Sequence, residues 1–243
     1  MKTTHLIYST LFLFVFGSAQ AQWWKKKIKG NGKMTTEMRQ TDSYDAIHVH
    51  GSVHVTLTSG NEGDITIVAE ENLMEYIETV HKKETLYIKT KENTNLGTSL
   101  GKEINIYVPV AEISKLSLSG SGNIEGGMSI ESDKLKVNLS GSGDVDVDVD
   151  VAELHASVTG SGDIDLSGKA HEFNASVTGS GDINAKKLTV NNCQASITGS
   201  GDIAINALNH LNSTIVGSGD VLVNISVKTS EKKIVGSGKV MKY

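Results

Sequence analysis

The sequence predicts an all-β protein built as a β-solenoid, on three observations. First, Gly-Ser-Gly followed by a polar and then a β-branched residue recurs at Gly120, Gly141, Gly160, Gly179, Gly199, Gly217 and Gly236. The spacings are 21, 19, 19, 20, 18 and 19 residues, and self-similarity at such a period marks a stacked repeat. Second, the segments flanking each motif alternate apolar and polar residues and leave no helix-length run. Third, a unit of about 19 residues is too small to bury its own apolar face, so it must stack on its neighbours.

The chain opens as an export signal over residues 1–21. Lys2 and His5 precede an apolar run from Leu6 to Phe16, and Ala19-Gln20-Ala21 has the form of a cleavage site. That run is shorter than the roughly 20 residues a membrane-spanning helix needs. No cysteine follows it, which argues against a lipid anchor. Residues 22–40 read as a polar linker, with Trp23-Trp24 beside Lys25, Lys26, Lys27 and Lys29; an anionic surface is the other reading of that cluster. Removing Lys2 with the leader leaves 22 basic against 28 acidic residues. A mildly acidic chain argues against a nucleic-acid partner, which requires a basic face.

The domain itself is placed at 41–240, with a less regular strand region over 41–110 and repeat rungs over 111–240. Ile47, Val49, Val53, Val55 and Leu57 alternate with polar residues as a half-buried strand pair, with Gly51-Ser52 as a turn or bulge between them. Asp64 to Ala69, Thr85 to Lys89 and Ile104 to Val108 read as further strands, and Pro109 ends the last. A short helix is predicted at Glu70 to Ile77, where Leu73, Tyr76 and Ile77 share a face.

From Ile113 the rungs supply three apolar columns. One, after the turn, is Ile124, Val145, Ile164, Ile183, Ile203, Val221 and Val240, all β-branched and suited to a pleated surface. A second, before the turn, is Leu118, Leu139, Val158, Val177, Ile197, Ile215 and Ile234. The third is Leu135, Leu154, Phe173, Cys193 and Leu211, which makes the only cysteine a buried small hydrophobe and excludes any intrachain disulfide. Paired glycines suit a sharp corner repeated where backbones stack closely, and the serine between them is placed for a hydroxyl ladder. Ser230, Lys232 and Lys239 break the columns and predict a polar cap at the end of the stack.

The segment Tyr44-Asp45-Ala46-Ile47-His48-Val49-His50-Gly51, the strand Val53-His54-Val55-Thr56-Leu57-Thr58 and the serial Gly-Ser-Gly-Asp turns together resemble the putative auto-transporter adhesin, head GIN domain family. That family occurs in exported proteins of Bacteroidetes, and the likeness covers roughly residues 40–240. It implies a single-stranded, right-handed β-helix and an exported location, and brings no catalytic residues with it.

The first candidate for chemistry is the aspartate column Asp144, Asp163, Asp182, Asp202 and Asp220, flanked by Asn123 and Lys239. Stacked rungs lie about 4.8 Å apart, and carboxylates at that separation repel by roughly 1 kcal/mol in water, more at lower dielectric. Two readings offset this. Calcium can bridge oxygens on adjacent rungs, although calcium-binding nonapeptide repeats carry two glycine-aspartate turns per rung where this chain has one. Alternatively, each carboxylate accepts hydrogen bonds from turn amides and serine hydroxyls. Asp146, Asp148 and Asp150 read as a solvated strand face, and His48, His50 and His54 as exposed polar residues whose clustering also permits a transition metal. No metal or cofactor is assigned.

A carbohydrate-active β-helix enzyme is the alternative class. Such sites need paired carboxylates at a groove and stacking platforms, yet Phe173 is the sole aromatic between residues 111 and 235 and Arg39 the only arginine. The reading is therefore a non-catalytic exported binding or structural module of the periplasm, outer surface or medium. Its partner is an extracellular or envelope ligand, protein or glycan. A calcium-stabilised scaffold is the third class.

Overall fold

The computed structural model describes residues 26–224 and 226–243, so the leader and the Trp23-Trp24 pair lie outside the described residues. In chain order the elements are β1 (Lys26–Lys29), β2 (Met34–Gln40), β3 (Ala46–Gly51), β4 (His54–Thr58), β5 (Asp64–Glu70), the single-turn helix α1 (Glu71–Met74), β6 (Ile77–Lys82), β7 (Thr85–Thr90), β8 (Thr94–Gly97) and β9 (Asn105–Pro109). The repeats follow as β10 (Lys115–Gly120), β11 (Asn123–Gly141), β12 (Asp144–Gly160), β13 (Asp163–Gly179), β14 (Ile183–Gly199), β15 (Ile203–Gly217), β16 (Val221–Val223), β17 (Thr229–Gly236) and β18 (Val240–Lys242). Successive coils pair in parallel and form a β-solenoid of about seven turns.

The columns stack as alternation requires. Val145, Ile164, Ile183 and Ile203 are direct register partners up the stack and are 0–1% exposed. Leu154, Phe173, Cys193 and Leu211 do the same, with Phe173 the largest fully buried side chain and Cys193 buried on the rung above it. Each such residue contributes roughly 1.5–3 kcal/mol through the apolar area it removes from water.

The corner glycines have a backbone cause. Gly179 has φ +127°, and its missing Cβ would point into the carbonyl oxygen of Gly160 one rung below; Gly181 lies the same way over Gly162. That closeness lets the Gly160 carbonyl accept two amides at once, from Ser180 at 2.8 Å and Gly181 at 3.1 Å, and the pattern repeats at every corner from Ser121 to Gly238. The serine backbone, then, makes the ladder. Its hydroxyls do not: among the described residues only Ser237 and Ser218 bond to each other, at 3.1 Å, because the remaining serine side chains point to water.

The uneven repeat spacing is absorbed away from the corners. Register shifts fall between Glu125 and Ser129, between Asp165 and Ser167, and between Ala185 and Asn192, all on the strand leaving the corner. The approach to each corner stays in unbroken register from Lys115 to Gly236. Bulges of this kind take up an extra residue without moving the ladder on either side.

Three expectations for the N-terminal region are corrected. Residues 26–40 form strands rather than a linker: β2 pairs antiparallel with β5 along its whole length, and β1 pairs in parallel with β8. Their polar composition hid this because β2 is an edge strand with most of its side chains in solvent. Next, β3 and β4 are a true first rung, with Gly51 (φ +118°) beneath Gly120 and Val55 beneath Ile124. Its corner was disguised because Gly51 rests on the Thr90 side chain and Val53, not a second glycine, stands where later rungs carry Gly143 and its equivalents. Finally, the helix spans only Glu71–Met74, and Ile77 already belongs to β6.

These pieces close the lower end of the solenoid. Leu73 and Met74 of α1 are buried against the core. Arg39 on β2 reaches across to β6, donating to the Ile77 carbonyl at 2.7 Å and the Met74 carbonyl at 3.3 Å. Buried Tyr44 donates to the Pro109 carbonyl at 2.5 Å, and burial pushes its hydroxyl pKa up to about 12. At the upper end β17 is exposed along nearly all its length, with Ser230 above Leu211 and Lys232 above Ser213, as a polar cap requires.

Candidate functional site

The aspartate column occupies the strand start just beyond each corner, outside the β-branched column. There it forms a continuous hydrogen-bonded ladder that runs between rungs. One carboxylate oxygen of Asp163 accepts the backbone amide of Asp182 at 2.8 Å, Asp182 accepts from Asp202 at 2.7 Å, and Asp202 accepts from Asp220 at 2.7 Å. Asn123 starts the series under Asp144 at 3.4 Å, and Asp163 continues it over Asp144 at 3.4 Å. Lys239 donates to Asp220 at 2.7 Å and ends it, having no acceptor for a further rung. Charge-assisted bonds of this length are the strong kind, and they offset the repulsion between neighbouring carboxylates. The acceptance comes from the rung above, not from the local turn.

On the acidic strand and on the rung above it, two carboxylates are also held from the next rung. Asp148 accepts from the Ser167 hydroxyl at 2.8 Å, and Asp165 accepts from the Asn184 amide at 2.7 Å. The three histidines take separate surroundings. His48 lies against Tyr87 with ring centroids 5.6 Å apart, and its pKa is lowered by burial and by His50 and Lys115. His54 is on the far side of the corner, beside Asn105 and Asn123. Among the described residues no group of three His, Cys, Asp or Glu side chains is placed to hold a metal ion. Burial, with Glu172 adding a like-signed push, raises the Cys193 thiol pKa far above its ordinary value.

Two features escaped the sequence reading. Glu70, read as a helix start, is a fully buried carboxylate held by the Gly32 amide at 2.5 Å, the Ser99 amide at 2.9 Å and the Ser99 hydroxyl at 2.5 Å. The bond from the Ser99 side chain leads in holding its pKa below the usual carboxylate value. It ties the β1–β2 connection and the loop after β8 onto the body. No sequence signal marked it, since all three donors are remote in the chain.

The second is a groove on the outer face approaching the corners, running along the stack across β11 to β14. The inward column behind it shrinks from Leu116 and Val137 to Ala156, Ala175 and Ala195, and the face is dented where those small residues sit. Lys136, His155, Asn174 and Gln194 form one rank along it, and Ser157, Ser176 and Ser196 the next. The signal for it was present: the serine rank repeats faithfully while its neighbour changes at each rung, so stacking alone does not dictate the latter.

The family model described as "Putative auto-transporter adhesin, head GIN domain" matches residues 43–225. Three solved structures share the architecture. A "putative adhesin" from Bacteroides fragilis superposes with a TM-score of 0.80 at 23% identity, covering 89% of this chain and 100% of that one. A "putative adhesin" from Parabacteroides merdae gives 0.72 at 25% identity, over 90% and 99% of the two chains. A "putative lipid binding protein" from Parabacteroides distasonis gives 0.74 at 25% identity, over 90% and 100%. A search of curated proteins gives no match.

Proposed function

Since the chain belongs to the head GIN domain family, we propose that it is an exported, non-catalytic module that binds a ligand at the cell envelope through its outer surface. The observation that carries this reading is the fate of the acidic residues. Every member of the aspartate column serves as an acceptor for the next rung, up to Asp220 under Lys239, so the groups best suited to acid–base chemistry maintain the stack. The closely packed interior directs ligand binding to the outside. The leader-like residues 1–21 and the adhesin names of similar proteins support export and surface work.

The test is retention. Fluorescently labelled protein is incubated with intact bacterial cells and with mucin-coated surfaces, beside a heat-unfolded control. Saturable retention of the folded protein alone is expected. Retention no greater than that of the unfolded chain on every surface overturns the reading. Fractionation of the producing cells, with the protein found in the cytosol, overturns the export part alone.

A further inference from the structure

The groove across β11 to β14 presents outer-surface polar groups that have no side-chain partner among the described residues. Along the aspartate column the carboxylates are engaged from rung to rung. In the groove, by contrast, Asn174, Gln194, Ser157, Ser176 and Ser196 make no side-chain hydrogen bond among the described residues, although the three serines are half-buried. Repetition presents those amides and hydroxyls in two parallel ranks with a step of about 4.8 Å.

Charge sets the class of ligand. The whole chain carries a formal net charge of −5, yet none of the residues lining the groove is acidic. Lys134 is engaged with Glu153 at 2.9 Å, and His155 is bonded to the same carboxylate. Lys136 forms no ion pair among the described residues and stacks over Lys115, so cationic charge collects at the N-terminal end of the groove. Toward the C-terminal end the rank becomes neutral through Asn174 and Gln194.

We infer that this groove is a binding site for an acidic oligosaccharide lying along the solenoid axis, its carboxylate at Lys136 and its hydroxyls on the amide and serine ranks. The inference rests on the binding role proposed above and names its site and ligand class. A polyhydroxylated chain suits ranks of amides and hydroxyls. An acidic peptide suits them less, because the backbone edges here are spent in the ladder and no added strand can pair. The groove has no aromatic platform, so each site binds weakly and strong attachment comes from many copies on one surface.

The test is titration of purified protein with hexagalacturonate, with neutral maltohexaose and hexaglutamate as competing probes. Hexagalacturonate is expected to bind at least tenfold more tightly than either, and more weakly as salt rises. Lys136→Glu is expected to weaken it at least tenfold, and Ser176→Trp, which fills the groove, to abolish it. Asp182→Asn, on the other face, is expected to leave it unchanged, with melting curves confirming that all three variants fold. Hexaglutamate binding equally well, or hexagalacturonate binding that ignores both groove variants, overturns the inference. So does no binding of hexagalacturonate at all. If the protein and Lys136→Glu are nonetheless retained equally on cells or mucin, the envelope-binding role stands and only the groove assignment falls.

Discussion

The lower end of the solenoid is closed by one-off devices, a helical turn, and a bridging arginine and a buried glutamate whose partners lie far away in the chain. The repeat rungs above are held by one device used over and over, a glycine corner whose carbonyl takes two amides from the next rung. The difference shows most plainly at one corner position. Val53 occupies it in the first rung, whereas Gly143, Gly162, Gly181, Gly201 and Gly219 occupy it higher up. From Gly122 upward an added Cβ at this position would meet the carbonyl of the rung below, and the series starts on the carbonyl of Val53 itself.

Exchanging residues at that position is expected to have the largest effect. Gly162→Val drives a side chain into the Gly143 carbonyl and is expected to remove more than about 4 kcal/mol or prevent folding. Val53→Gly is expected to cost only about 2–3 kcal/mol, the loss of one buried side chain and of backbone restraint. Thermal melts of the two variants decide; equal losses would end the distinction. Ile183→Asp belongs with the severe class, since it buries an unpaired charge in the central column, and a melting temperature within a few degrees of the parent would remove Ile183 from the core.

At the closed end the expected effects are smaller and local. Arg39→Met keeps the apolar stem and loses the bonds to the Met74 and Ile77 carbonyls, at a cost of about 1–3 kcal/mol. Hydrogen exchange should accelerate in β2 and β6 and stay slow in β12 to β14; uniform acceleration would make Arg39 part of the main cooperative unit.

Glu70 makes the same end acid-sensitive. Its carboxyl is held below the ordinary value, so its contribution is complete above about pH 4.3 and is lost as pH falls through the lower folded-state pKa. Protection of the Gly32 and Ser99 amides is expected to fall in that acid window. In Glu70→Gln it should be weak already at neutral pH and change little on acidification. An unchanged acid profile in that variant would assign the sensitivity to another group.

The smallest effect is expected along the aspartate ladder. Asp182→Asn keeps an oxygen for the Asp202 amide and loses only the charge, so about 1 kcal/mol or less is at stake. With one oxygen of each carboxylate engaged, millimolar calcium against EDTA should leave the melting temperature unchanged. A saturated ion at a hundredfold excess over its Kd would add about 2.7 kcal/mol. A calcium shift that Asp182→Asn abolishes would turn the ladder into a cation site.

Legibility followed the same divide. The three columns, the corners and the cap at Ser230 and Lys232 were readable because a residue that recurs at a fixed period reports its own environment many times over. Arg39, Glu70 and the strands at 26–40 were not, because each depends on a partner far away in the chain, as Lys26 does on Thr94, and appears once. The groove fell between the two cases. Its serine rank was visible as repetition, but only the fold showed that Lys136, His155, Asn174 and Gln194 lie in a line beside it.

The placement of every bulge on one side of the corner makes length a free variable of this molecule. A duplicated unit enters with its corner in register, and any stray residue is expelled to the side that tolerates it. Each added coil extends the rod by about 4.8 Å and lengthens the groove by one more step. Under the proposed envelope-binding role, reach from the cell and the number of ligand units spanned are thereby open to change through copying alone, with the closed end left untouched.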